Sequence, residues 1–88
     1  MSCSAKIGYR QVANATAVLK VTPAGLYGII CVVGGTVTCY DNTAGSGVVL
    51  FTKAMTAGEV ITLGDYPMAT NVGLTVVVAT GTANILYT

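Results

Sequence analysis

The chain has 88 residues, 53% of them hydrophobic and only 8% charged, with a formal net charge of +1. Its cations, Lys6, Arg10, Lys20 and Lys53, are scattered among the acids Asp41, Glu59 and Asp65, which excludes the basic footprint of a conventional nucleic-acid binder. A single domain of this size buries only about 60 to 65% of the surface its unfolded chain exposes, so its core is thin and its apolar composition points to association with other chains.

In chain order, the opening "MSCSAKIGYRQ" lacks an apolar core of the kind a secretory signal needs, and no Sec export is expected. Residues 1–13 read as an N-terminal arm or edge strand and 14–88 as one domain. Strands are expected near 15–21, 26–33, 36–41, 47–53, 59–63, 72–79 and 82–88, separated by Gly, Pro and Asn breakers. The fold class is therefore all-β, a small antiparallel β-sandwich or barrel of about seven to eight short strands. Two charge-free stretches, Val21 to Tyr40 and Tyr66 to Thr88, are long enough to span a bilayer, but their glycines, prolines and β-branched residues suit strands instead. No membrane partner is expected.

The continuous run "LYGIICVV", Leu26 to Val33, predicts a central strand covered on both faces. Gly34-Gly35 after it reads as a two-residue hairpin turn, which sets Cys31 opposite Thr38. A three-residue loop would instead set Cys31 opposite Cys39 and permit a bridge. With an odd count of cysteines at 3, 31 and 39 and no export signal, free thiols are expected. Period two puts Val37 and Cys39 on one face of their strand, and Val72, Leu74, Val76 and Val78 on one face of theirs.

The chemical inventory is sparse. Histidine is absent, which removes the commonest general base and neutral metal ligand. "DNTAGSG", Asp41 to Gly47, has no lysine and no following helix for a phosphate loop, and one carboxylate is too few for calcium. It reads as a hairpin loop, in which Asp41 and Asn42 bond local backbone and Gly45 and Gly47 supply freedom. Asp65 sits beside another turn; spacing in a fold this small leaves a carboxylate pair among Asp41, Glu59 and Asp65 open, but no acid–base role is expected of them. The thiols have neither a histidine partner nor C-x-x-C spacing. Tyr9, Tyr27, Tyr40, Tyr66, Tyr87 and Phe51 suit a core or subunit interface, with a stacking or sugar-binding face as the other reading. No catalytic, cofactor-binding or metal-binding residue is nominated, and no enzyme is expected.

The strings "VTCYDNTAGSGVVLF" and "GDYPMATNVGLTVVVATGTANILYT" resemble small β-sandwich virion proteins of tailed bacteriophages, of the capsid decoration or cement type. The resemblance covers roughly residues 18 to 88 and rests on Asp41-Asn42-Thr43-Ala44, Gly47, Gly73-Leu74-Thr75-Val76 and Gly81-Thr82-Ala83. It implies a non-enzymatic structural protein that binds and stabilises the head exterior, located in the virion after synthesis in the host cytoplasm. The implied partners are the major capsid protein or another virion protein, with a dimer or trimer of the chain itself. Attachment is expected through apolar strand edges and residues Met1 to Ala13, so that deleting residues 1–12 should weaken particle binding and leave the sandwich folded. The alternative is a tail, fibre or host-surface module that recognises carbohydrate.

Overall fold

A computed structural model describes residues 7–63 and 67–88. It is all-β and antiparallel: β1 (Gly8–Lys20), β2 (Gly25–Val33), β3 (Gly35–Asp41), β4 (Val48–Met55), β5 (Val60–Thr62), β6 (Met68–Ala69) and β7 (Leu74–Tyr87). The long β7 organises the sheet. One of its sides pairs with β1 along nearly its whole length, from Gly8↔Tyr87 to Lys20↔Leu74. Its other side pairs first with β3, Tyr40↔Thr75 to Thr36↔Ala79, and then with β2, Val33↔Thr82 to Leu26↔Tyr87.

Gly34 and Gly35 therefore do not reverse the chain. Val33↔Thr82 and Thr36↔Ala79 belong to one continuous register, so β2 and β3 run in the same direction along β7. The glycines are present for close approach rather than for a turn. A Cβ on Gly81 would sit 2.5 Å from the Val33 carbonyl oxygen, and one on Gly35 would collide with the Ala79 carbonyl. β4 and β5 repeat the pattern at the next position out: Gly35↔Met55 begins the β3–β4 ladder and Ile30↔Val60 begins the β2–β5 ladder, with Thr56 to Glu59 between them.

Every long strand thus breaks along one line across the sheet. On β1 the break is Asn14, with φ 44°, and on β7 it is Thr80, with φ 63°. Both lie in the left-handed region, which is uncommon for asparagine and strained for a β-branched residue. The Asn14 Oδ1 accepts the Thr80 N–H at 3.1 Å, so the two kinks hold each other.

The line is a fold, and chain lengths require it to be a sharp one. β7 would run roughly 45 Å if straight. Yet Lys20, beside one end of β7, reaches Gly25, beside the other end, in five residue steps that span at most about 18 Å. Thr70 to Gly73 make the same crossing from β6, which pairs with Gly25–Leu26, back to Leu74. The sheet closes on itself as two halves. The hairpin half holds β3, β4, the start of β7 and the end of β1. The terminal half holds β2, β5, β6, the end of β7 and the start of β1.

Between the halves lies one core, with Val37, Cys39, Leu74, Val76 and Val78 from one side and Leu26, Ile29, Cys31, Ala83 and Ile85 from the other. Each fully buried branched side chain contributes about 1.5–3 kcal/mol. β7 keeps strict alternation on both sides of its kink, with Leu74, Val76 and Val78 inward and then Ala83 and Ile85, the phase changing at Thr80-Gly81. Val72 precedes the strand and is exposed.

Some expectations shift accordingly. The two strands expected at 72–79 and 82–88 are one bent strand, and β6 lies where only a turn was expected. β2 is central, but its burial is one-sided: Leu26, Ile29 and Cys31 are buried, Ile30 is half-buried, and Val32 and Val33 are exposed. The boundary at residue 13 falls inside β1, and Val12, paired with Ala83, is a core residue. A deletion through residue 12 would therefore remove core as well as arm. Cys3, Asp65 and Tyr66 lie outside the described residues.

Candidate interaction surface

The loop after β3 is built almost wholly from its own side chains. Asn42 Oδ1 accepts the Thr43 N–H at 2.8 Å, and Asn42 Nδ2 donates to the Ser46 carbonyl at 2.9 Å. Gly47 has φ 98° and lies so close to the Asn42 amide that a side chain there would collide with it. The tip folds back over the sheet, so that a Cβ on Gly45 would stand 3.2–3.3 Å from Val77 and Thr16 methyls on the outer face of the hairpin half. Thr75, which points outward between Leu74 and Val76, is consequently fully buried, and its hydroxyl donates to the Asn42 carbonyl at 2.9 Å.

Asp41 serves the same closure. Its carboxylate accepts the N–H groups of Asn71 (3.0 Å), Val72 (2.9 Å) and Gly73 (3.4 Å), three consecutive donors on the segment that leads into β7. Those N–H bonds hold the Asp41 carboxyl below its ordinary range, against a smaller opposing effect of desolvation. The concave array of backbone donors is filled by the chain's own carboxylate. Glu59 is likewise engaged, 2.8 Å from Lys53 Nζ and accepting the Thr56 N–H at 3.1 Å, and the Lys53 contact is the main cause of its lowered pKa.

Cys31 and Cys39 are free and buried. They sit on one continuous strand path either side of the corner, facing Ala83 and Val76, so the cross-strand pairing that a hairpin would have produced does not arise. Burial pushes the Cys39 thiol up from 9.0 to about 12, which keeps it protonated and unreactive, while the Cys31 Sγ approaches the Val33 carbonyl at 3.2 Å. Among the described residues no cavity opens and no cluster of His, Cys, Asp or Glu suits a metal. No helix among them is long and apolar enough to cross a membrane.

The outer face of the terminal half is different. Two rows run across its four strands, Tyr9–Leu86–Gly28–Thr62 and Gln11–Asn84–Ile30–Val60. None of these side chains is charged at neutral pH, and no described segment folds over them. Tyr9 is 68% exposed and Val60 53%, large apolar areas for a water-facing sheet. At the centre is Asn84, whose carboxamide oxygen is shut off from solvent and accepts no hydrogen bond among the described residues.

Among the described residues the outermost strands each keep a free side. That of β4–β5 carries the Lys53–Glu59 pair. On β1 the nine residues from Gln11 to Leu19 include no charge. Of the aromatic residues singled out from the sequence, Tyr9 belongs to the bare face, whereas Tyr87 and Phe51 pack against the core. The sequence drew no attention to Asn84; the signal available was a lone amide between Ala83 and Ile85 in an apolar strand. No family model, curated protein or solved structure matches the chain.

Proposed function

We propose that this chain is a non-enzymatic structural protein of a tailed-bacteriophage particle, a decoration or cement protein that binds the head exterior, acts as an oligomer and contacts the major capsid protein or another virion protein. The observation that supports it best is an almost uncharged exterior on a sheet whose edge strand β1 keeps a long free side. A free strand side offers unpaired N–H and C=O groups, and natural proteins normally blunt such sides with charge. β4–β5 is blunted in this way by Lys53 and Glu59; β1 between Arg10 and Lys20 is not.

A strand or loop of a shell subunit added along β1 would gain a main-chain ladder together with apolar contacts to Val18, which is 39% exposed. A protein that bridges two shell subunits in this way adds interface that internal pressure must break before the shell opens. The Asp41 loop fits the same reading as a device that closes the fold rather than a ligand site.

The test is cosedimentation of the purified chain with phage heads that lack it. Binding that saturates at a fixed copy number per head is expected, and no binding to any particle overturns the proposal. Deleting residues 1–7, which spares Val12 and the β1 ladder, then separates the two attachment routes: unchanged binding assigns the contact to the strand, and lost binding assigns it to the N-terminal segment.

A further inference from the structure

We infer that the bare outer face of the terminal half is the contact between two copies of this chain, packed face to face about a two-fold axis that passes beside Asn84. The inference rests on the reading of the chain as an oligomeric structural module and names the surface that the oligomer uses.

Three observations select a second copy as the occupant. The first is charge. All five charged side chains among the described residues, Arg10, Lys20, Asp41, Lys53 and Glu59, lie off this face: Asp41 and Lys20 at the far end of the hairpin half, Lys53 and Glu59 paired along the β4–β5 edge, and Arg10 on the opposite face of β1 from Tyr9 and Gln11. A two-fold contact sets a surface against itself, so any charge on it meets its own sign. A face whose described residues carry no charge can be applied to itself without repulsion among them.

The second observation is the central group. A carboxamide is both donor and acceptor, so it is complementary to a copy of itself, whereas a carboxylate or an ammonium partner satisfies only part of it. Asn84 stands between Gln11 and Ile30 with its oxygen unpartnered, and a buried acceptor left in that state destabilises the fold. A small rotation of the side chain on docking brings the oxygen and nitrogen of one Asn84 to the nitrogen and oxygen of the other.

The third observation is the contrast within the molecule. The hairpin half covers its own outer face with residues 42–47, and the terminal half has the same kind of apolar sheet with no described segment over it. Sheets packed face to face sit about 10 Å apart with interdigitating side chains, and Tyr9, Ile30, Val60 and Leu86 supply the rows for such packing.

The experiment is light scattering on the full chain across a wide concentration range, with Val60→Lys and Tyr9→Lys as face variants and Val48→Lys, on the hairpin half, as control. All three positions are exposed, so the variants should keep the far-UV spectrum of the parent. The expected result is twice the 8.9 kDa chain mass for the parent and Val48→Lys, and the single-chain mass for Val60→Lys and Tyr9→Lys. Asn84→Asp should raise the dimer Kd roughly tenfold or more at neutral pH by facing two carboxylates across the axis. A parent that stays monomeric at every concentration, or a Val60→Lys protein that still dimerises, overturns the inference. Particle binding is scored separately. A chain that dimerises here yet binds no particle overturns the virion reading and leaves the two-fold contact standing, whereas a monomeric parent that binds particles overturns the two-fold contact alone.

Discussion

The outer faces of the two halves begin from the same kind of sequence, β-branched and glycine-rich with scarcely any charge, and end in opposite states. On the hairpin half a six-residue loop lies across Thr16 and Val77 and buries Thr75 completely, fastened by Asn42 from within and by Asp41 to residues 71–73. On the terminal half no described segment lies over the outer face; Thr56 to Glu59, where Glu59 accepts the Thr56 N–H, joins β4 to β5 at the corner between the halves. The hairpin half therefore covers its outer face with its own loop, and among the described residues the terminal half does not.

The corner shared by both halves is the most sensitive point of the comparison. Gly81→Val drives side-chain atoms into the Val33 and Gly34 carbonyls, and Gly35→Val into Ala79 and Gly81, where backbone on both sides leaves no room to yield. Each is expected to destabilise by more than about 3 kcal/mol in urea unfolding, the upper range for overpacking. Gly8→Ala, which has open space around it, should change stability by less than about 0.5 kcal/mol. If Gly81→Val unfolded with a near-native midpoint, the two halves would not depend on a close-packed corner.

Next in size is the loop itself. Replacing residues 42–47 by a two-residue Asn-Gly turn strips the cover from Thr75 and Val77 and trades the Thr75 hydroxyl's bond to the Asn42 carbonyl for one to water, a loss of about 0.5–1.5 kcal/mol from that hydroxyl. The shortened chain should also gain a second adhesive face, visible as a mass by light scattering larger than that of the parent. A shortened chain with unchanged mass would mean that the loop is dispensable for keeping this half inert.

Titration separates the halves by a gentler route. Cys39, in the hairpin half, has a folded pKa raised to about 12 from an ordinary 9.0, so its contribution is fully present below pH 9 and is lost as pH rises towards 12, because only the unfolded chain can ionise. At pH 10.5 the loss is about 2 kcal/mol, read as the difference in pH dependence between the parent and Cys39→Val. Asp41 has the opposite sign. Its folded pKa is depressed, so its contribution is complete at neutral pH, begins to fall as pH drops past the ordinary carboxylate value of about 4, and is gone below the depressed value. Asp41→Asn should flatten that acid limb and raise hydrogen exchange at Asn71, Val72 and Gly73. Unaltered exchange there would show that the carboxylate does not hold the segment.

Much of this was present in the sequence, and the omissions have a common cause. Period two identified the inward set Val37, Cys39, Leu74, Val76 and Val78, and turn chemistry placed the 41–48 hairpin, because both are local properties. Glycine was ambiguous. Gly34-Gly35 and Gly81 suit either a reversal or a crossing of backbones, and parity does not separate them: Ile29, Cys31, Val37 and Cys39 are all odd-numbered and all buried, a phase that a two-residue hairpin would have flipped but a three-residue loop would have kept. The Asp41 clamp joins residues some thirty apart, and the Asn14–Thr80 lock spans 66 positions, separations at which spacing in a single chain carries no signal.

The smallest expected effect tests what polarity contributes to an uncovered stretch of sheet. Thr38 and Thr52 face each other across β3 and β4 on the outer side of the hairpin half, with hydroxyls 2.9 Å apart and exposed. Changing both to valine removes one solvent-competed hydrogen bond and keeps the β-branched shape, so stability should move by no more than about 0.5 kcal/mol. The double variant matters more for association. It lengthens the apolar strip beside Val49, which is 48% exposed, without disturbing the covering loop. An unchanged native mass would show that cover by residues 42–47 suffices to keep this face from pairing. A larger one would show that the hydroxyl row is a second guard, one that the corresponding positions of the terminal half, Ile30 and Val60, lack.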